Sequence, residues 1–179
     1  MAGSPVAGGV TTTAPDAGPD GAVTLRPAER ADLLEIARIE RRSFRQPWPF
    51  QAFEGFLGEP GFLAAVAGGR IVGYVVADVV VERGRPMGHV KDLAVDPSWR
   101  ERGLGVRLLD RALGVLEGYG AREAKLEVRQ SNDRAISIYR RFGFEAHHLV
   151  SRYYADGEAA AVLVVDLDGR WRPFDEPVG

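Results

Sequence analysis

Apolar positions recur along this chain with two periods, and the switches between them mark the elements. Val23-Thr24-Leu25-Arg26 alternates and is stopped by Pro27, which predicts a first strand. From about Ala31, Leu33, Ile36 and Ala37 fall on one helical face. Pro47-Trp48-Pro49 interrupts. Pro49 can serve as the first residue of a short helix carrying Phe50, Phe53, Phe56 and Leu57, with Gly58 as its stop. Phe62 to Val66 and Ile71 to Val81 read as strands joined by the hairpin signal Gly68-Gly69. His89 to Val95 reads as the next strand. From Gly103 to about Tyr119, Leu104, Leu108, Leu109, Ala112, Leu113 and Leu116 keep helical spacing. Ala124 to Arg129 alternates as a strand. Asp133 to Phe142 reads as a helix closed by Gly143. His147 to Tyr154 and Ala160 to Leu167 predict a last hairpin around Asp156-Gly157.

The order is strand, two helices, three strands, helix, strand, helix, two strands. A strand–helix–strand crossover implies at least one parallel pairing, while the hairpins at both ends are antiparallel. The pattern predicts one α/β domain with a mixed central sheet over residues 22–168. Residues 1–21, rich in Gly, Ala, Thr, Pro and Asp without an apolar period, read as a disordered tail. Residues 169–179 read as a C-terminal tail, in which Trp171 and Phe174 are the residues able to dock.

Composition narrows the function classes. The chain has 179 residues, of which 45% are apolar, enough for one domain with its own core. Net charge is −2 and the basic residues do not form one block, so nucleic acid is not expected as the main partner. There is no cysteine, which excludes disulfides, thiolate metal sites and a cysteine nucleophile. No window approaches the ~20 apolar residues that span a bilayer. The first residues lack the regions of a signal peptide. A soluble cytoplasmic protein without a membrane partner is expected. His147 and His148, adjacent on a predicted strand, should face opposite ways and make a poor metal pair; no other spacing reads as a metal site.

The most informative segment is Arg100-Glu101-Arg102-Gly103-Leu104-Gly105-Val106, where a long helix begins just after a strand. The first N–H groups of a helix lack internal partners and carry partial positive charge, so an anion can sit on the backbone. Gly103 and Gly105 remove side chains that would keep it away, and Arg100 and Arg102 add mobile positive charge. The segment is neither a Walker loop nor a dinucleotide fingerprint, since G-x-x-x-x-G-K-[ST] and G-x-G-x-x-G are both absent.

Upstream of it stands Gly88-His89-Val90-Lys91-Asp92-Leu93-Ala94-Val95-Asp96-Pro97. Downstream stands Leu126-Glu127-Val128-Arg129-Gln130-Ser131-Asn132, then Ala135 and Tyr139, then Phe142-Gly143-Phe144 and Tyr153-Tyr154-Ala155-Asp156-Gly157-Glu158. In this order and spacing, over about Val23 to Leu167, the chain resembles the GNAT superfamily of acyl-CoA-dependent N-acetyltransferases. It is most similar to the branch acting on protein amino termini, the RimI-type and arrest-defective-type enzymes. The resemblance implies a GNAT-like domain in which a parallel strand pair splays at the cofactor site. It implies acetyl-CoA as substrate and no metal. The expected acceptor is a protein or peptide N-terminus, possibly of a ribosomal protein. A small-molecule amine acetyltransferase and a non-catalytic acyl-CoA sensor are the alternatives.

Under that resemblance, residue roles can be set beside their purely structural readings. Glu127 lies on the charged face of an alternating strand, which cross-strand ion pairs would also explain. Acetyl transfer requires a neutral amine, a free α-amine has a pKa of ~8, and a carboxylate can accept its proton. Tyr139 can be a core aromatic beside Phe142 and Phe144, or a phenol that protonates the departing thiolate. Asn132 can cap a helix, touch the pantetheine arm, or both. A lone His is more often structural, but the resemblance gives His89 a secondary role in deprotonation. The resemblance also implies that backbone groups of Leu93, Ala94 and Val95 pair with pantetheine, and that one N–H polarises the thioester carbonyl. Trp48, Tyr153 and Tyr154 are core or surface aromatics on one reading and acceptor-site walls on the other. With no cysteine to carry an acetyl group, direct attack in a ternary complex is the expected mechanism.

Overall fold

The structure is a computed structural model, and it describes residues 22–174. The tail expected over 1–21 lies outside the described residues. Seven strands form one sheet in the order β1-β2-β3-β4-β5-β7-β6. These are β1 Thr24–Pro27, β2 Leu63–Ala67, β3 Arg70–Glu82, β4 Arg85–Val95, β5 Glu123–Arg129, β6 Glu145–Val150 and β7 Ala160–Asp166. The helices are α1 Leu33–Ser43, α2 Phe50–Glu54, α3 Leu104–Gly118 and α4 Asp133–Arg141. All neighbouring strands are antiparallel except β4 and β5.

Each helix lies where its apolar stripe directs it. Leu33, Ile36 and Ile39 of α1 and Phe53 of α2 pack with Phe62, Tyr74 and Val76 on one face of the sheet. Leu104, Leu108, Leu109, Ala112, Leu113 and Leu116 of α3 cover the other face, with Phe142 and Phe144 from the end of α4. At Gly88 the packing leaves no room for a side chain: an added Cβ would stand 2.8 Å from Leu116 Cδ1 and 3.0 Å from the Ala124 Cβ.

The parallel pair sets the geometry of the site. β4 and β5 pair only over Gly88–Val90 with Ala124–Leu126. Beyond Val90, β4 stays with β3 while β5 stays with β7, and the sheet parts. A register shift contributes: Val76 opposes Asp92 and Ala77 opposes Val90, so Lys91 is bulged out of the ladder. The splay implied by the family resemblance is therefore present.

Several local expectations change. Pro49 sits at the N-cap of α2 rather than inside its first turn, and α2 ends at Glu54, before Gly58. β6 ends at Val150, not Tyr154, so residues 151–159 form a long loop rather than a tight hairpin. His147 and His148 do not point apart. A shift between Ala146 and His148 places a bulge at His147, and the two Nδ1 atoms approach to 2.7 Å. The segment after residue 168 is docked at its start. Arg170 is buried and bonds Asp110 on α3 at 2.5 Å, and Trp171 packs edge-on against Phe142 with ring centroids 5.2 Å apart.

Candidate active site

The mouth between β4 and β5 opens into a cleft of about 760 Å³. Its floor is Leu93, Leu126, Glu127 and Tyr139, and Gly105 at the start of α3 and Asn132 at the start of α4 also line it. Trp48 lines one wall, and Tyr153 and Tyr154 the other.

Glu127 and His89 share one face because His89 pairs in register with Lys125, two residues before Glu127. His89 Nε2 lies 2.7 Å from Glu127 Oε2, and both side chains are largely buried. Burial pushes the Glu127 carboxyl up. The hydrogen bond and charge of His89, with the nearby Lys125 ammonium, outweigh burial and hold it below the usual carboxylate range. Lys125 itself grips Glu82 on β3. Across the floor, Tyr139 packs edge-on to Phe144 with centroids 5.8 Å apart. Burial, with smaller contributions from Asp92 and Tyr154, pushes its phenol up to about 12, so it stays protonated at neutral pH. Asn132 does cap α4, its Oδ1 accepting the Ala135 N–H at 3.1 Å.

The loop before α3 has the shape of an anion cradle. Glu101 and Gly103 both take positive φ, 65° and 73°, which curls the backbone into the helix start. The bond from Arg107 N–H to Gly103 C=O, 3.1 Å, closes the first turn of α3. The amides of Leu104, Gly105 and Val106 precede it and have no carbonyl partner within α3. The side chains of Ala94 and Leu104 are buried and Val106 packs on the core, so these three can offer a ligand only backbone. Both arginines make contacts within the chain. Arg100 reaches Val95 C=O at 3.1 Å and Ser43 Oγ at 3.2 Å, and Arg102 lies 4.7 Å from the Trp99 ring centroid. The curled loop suits an anionic group, and the side of β4 that β5 leaves beyond Val90 suits an extended chain of amides; acetyl-CoA offers both a pyrophosphate and a string of amides.

The walls are tied down by contacts between distant segments. Arg129 bonds Asp156 and Glu158, each at 2.8 Å, and lies 4.0 Å from the Tyr154 ring centroid. Glu158 also accepts the Ser131 hydroxyl at 2.5 Å and the Ser131 N–H at 2.9 Å. Those bonds, with that of Arg129, hold the Glu158 carboxyl down to about 2. The loop is thus fastened to the β5–α4 junction, with the rings of Tyr153 and Tyr154 edge-on at 5.0 Å. Opposite, Trp48 stacks near Phe56 at 5.8 Å. The walls meet where Gln46 Oε1 accepts the Ala155 N–H at 3.2 Å.

Sequence reasoning missed one group entirely. Glu40, 1% exposed, accepts the Trp48 N–H at 2.7 Å and contacts the Tyr74 hydroxyl, which lies 3.0 Å from Asp92 Oδ2. A signal was present. Glu40 follows Leu33, Ile36 and Ala37 on the same helical stripe, and a carboxylate on a buried stripe needs a partner.

Comparison with known proteins agrees with this geometry. The model of the acetyltransferase (GNAT) family matches residues 31–144. The chain belongs to the GNAT acetyltransferase family. It is 34% identical to an N-alpha-acetyltransferase of Sulfolobus acidocaldarius, over 80% of this chain and 92% of that protein. It is 36% identical to the N-alpha-acetyltransferase RimI of Mycobacterium tuberculosis, over 74% and 84%. The crystal structure of the ribosomal-protein-S18-alanine N-acetyltransferase of Escherichia coli superposes with a TM-score of 0.73 at 28% identity, covering 87% of this chain and 100% of that one. The protein is an N-acetyltransferase with acetyl-CoA as its acyl donor.

Proposed function

We propose that this acetyltransferase modifies the α-amine at the N-terminus of a protein, by direct attack of that amine on the thioester, and that ribosomal proteins are among its acceptors. The observation that carries the reading is the His89–Glu127 pair, 2.7 Å apart, at the floor of a cleft walled by Trp48, Tyr153 and Tyr154. The relatives' names, which specify α-amines and in one case the alanine of a ribosomal protein, support the same acceptor.

Bound acetyl-CoA supplies the acetyl group and a thiolate leaving group. The chain's own residues do the rest. The backbone of Leu104 to Val106 and the edge of β4 hold the donor. Glu127, ionised at neutral pH, accepts the proton of the attacking amine, and His89 holds the carboxylate in place and shares its charge. Tyr139, still protonated, gives a hydrogen bond or a proton to the departing sulfur. The tyrosine wall offers hydroxyls to the first peptide amide of the acceptor, and the Gln46–Ala155 bridge narrows the slot to a chain end. A lysine side chain has no amide beside its amine, and its pKa of ~10.4 makes deprotonation harder than for a terminus at ~8.

Turnover with acetyl-CoA on peptides with free termini, beside the same peptides blocked at the terminus and carrying one internal lysine, tests the acceptor. Faster reaction of the free termini is expected. Preference for the blocked lysine peptides, or for a polyamine or aminoglycoside over every terminus tried, would overturn it. In the absence of acceptor, the intact protein mixed with acetyl-CoA should gain no acetyl mass, as direct transfer requires.

A further inference from the structure

The proton route through Glu127 and Tyr139 leaves two carboxyl groups unused, that of Glu40, which is buried, and that of Asp92, half-buried where it lines the cleft. Both oxygens of Glu40 are engaged, Oε1 by the Trp48 N–H at 2.7 Å and Oε2 by the Tyr74 hydroxyl. The same hydroxyl lies 3.0 Å from Asp92 Oδ2, and Asp92 Oδ1 accepts the Leu93 N–H at 2.9 Å. A phenol has one hydrogen and can donate it to only one of the two carboxyl oxygens it touches. If both carboxyls were ionised, one oxygen–oxygen contact would hold no hydrogen, and two like charges would flank a single hydroxyl. Such a pair keeps a proton.

We propose that Asp92 is the protonated member, donating to Tyr74, which donates to Glu40, and that this proton makes Asp92 a positioning residue for acetyl transfer. The chain of bonds then runs without a break from Trp48 on the acceptor wall to Leu93 on the donor strand. The choice of Asp92 over Glu40 follows from their partners: Glu40 accepts two hydrogens, from the Trp48 N–H and the Tyr74 hydroxyl, while Asp92 accepts one, from the Leu93 N–H. Burial, reinforced by the charge of Glu40, pushes the Asp92 carboxyl well above its usual range. Burial and the two carboxyls likewise push the Tyr74 phenol up, so its hydrogen stays in place.

Among the described residues no cation forms an ion pair with Asp92, although Arg45 lines the same cleft. Lys91, beside it on β4, turns to Asp78 at 3.4 Å. On β5, Glu127 is occupied by His89, and Lys125 by Glu82. From α4 the phenol of Tyr139 is neutral at working pH. In the loop over the cleft, Asp156 and Glu158 are held by Arg129. Arg42 of α1 pairs with Asp96.

The functional half of the inference rests on the acetyl-transfer reading of the cleft; the proton itself does not. Negative charge gathers on the thioester oxygen during attack, and the β4 amides are the donors placed to meet it. An ionised carboxylate 2.9 Å from the Leu93 amide would oppose that charge, and a neutral carboxyl does not. Once Asp92 ionises, its repulsion from Glu40 also loosens the tie between wall and strand. Turnover should therefore fall on the alkaline side as this proton is lost.

Two measurements on the 179-residue chain decide the matter. Infrared difference spectra of Asp92→Asn against the native protein, at neutral pH, should show a protonated-carboxyl stretch that the substitution removes. The second is the pH profile of kcat/KM for a free-terminus peptide. Asparagine supplies a neutral donor in place of the acid, so Asp92→Asn should keep kcat within about threefold of native. Its alkaline limb should move up or vanish. Asp92→Ala and Tyr74→Phe, which cut the chain, should raise the peptide KM by about tenfold or more. No protonated-carboxyl band in the native protein, or a band that survives Asp92→Asn, overturns the assignment of the proton. An alkaline limb that Asp92→Asn leaves in place overturns the positioning role. If no free-terminus peptide reacts, the acceptor reading fails by itself, and the infrared band still decides where the proton is.

Discussion

Glu127 is under two opposed influences, and their balance decides its chemistry. Burial alone would raise the pKa of the carboxyl, yet His89 and Lys125 bring it below the ordinary range. A carboxylate so stabilised is a modest base, suited to taking a proton from an amine that attack is already making acidic. Glu127→Gln keeps the shape and removes the base. It should lower kcat/KM at neutral pH by about 10²-fold, the low end of general-base effects, with acetyl-CoA affinity nearly unchanged. The deficit should shrink at high pH, where the acceptor is already neutral. The same shift has a stability consequence of defined sign. Because the folded-state pKa is depressed, the pair stabilises the fold above the usual carboxylate range, and that contribution is lost as pH falls through the depressed value. Tyr139 behaves oppositely. Its phenol, pushed up to about 12 by burial, remains a donor across the working range, so Tyr139→Phe should slow single-turnover transfer by about tenfold or more from pH 7 to pH 9 alike.

At the scale of elements, the cradle before α3 and the loop over 151–159 carry different tests. Gly105 has room for a Cβ, whose nearest neighbours would be 3.8 Å away on Leu93 and Val95. Gly105→Glu should therefore fold, while its carboxylate repels the pyrophosphate and weakens acetyl-CoA binding at least tenfold, or ~1.4 kcal/mol, by calorimetry. The long loop depends on Glu158. With its pKa lowered to about 2, its bonds to Ser131 and Arg129 persist above the ordinary carboxylate range and fail only as pH drops toward that value. Tyr154→Ala, on the same loop, should raise the peptide KM about tenfold while changing acetyl-CoA affinity little. These elements also show what could be read from the chain. α3 was legible because its leucines keep one period against one core, and β5 because Ala124, Leu126 and Val128 alternate cleanly with charge. The end of β6 was not, since the bulge at His147 and the Arg129–Glu158 brace depend on contacts made only after folding. Glu40 stood in plain view on a buried stripe, but Tyr74 and Asp92 reach it from β3 and β4 through the tertiary fold.

In the molecule as a whole, one break in one sheet opens the cleft. The parallel rungs from Gly88 to Val90 anchor the cleft, and under the proposed function the parting beyond them takes the donor from the α3 side and the acceptor from the α1–α2 side. The segment beyond β7 closes the far side of the fold rather than the cleft. Arg170→Met, which strands Asp110 without its buried partner, should cost about 3 kcal/mol in urea denaturation and leave the peptide KM as it is. The central claim is that the cleft selects a chain end. The most direct measurement uses one peptide bearing both a free N-terminal amine and an internal lysine, incubated with limiting acetyl-CoA at neutral pH and mapped by fragment-ion mass spectrometry. The first acetyl group should appear on the α-amine, and be lost in Glu127→Gln. Acetylation at the lysine while the terminus stays free would contradict that claim.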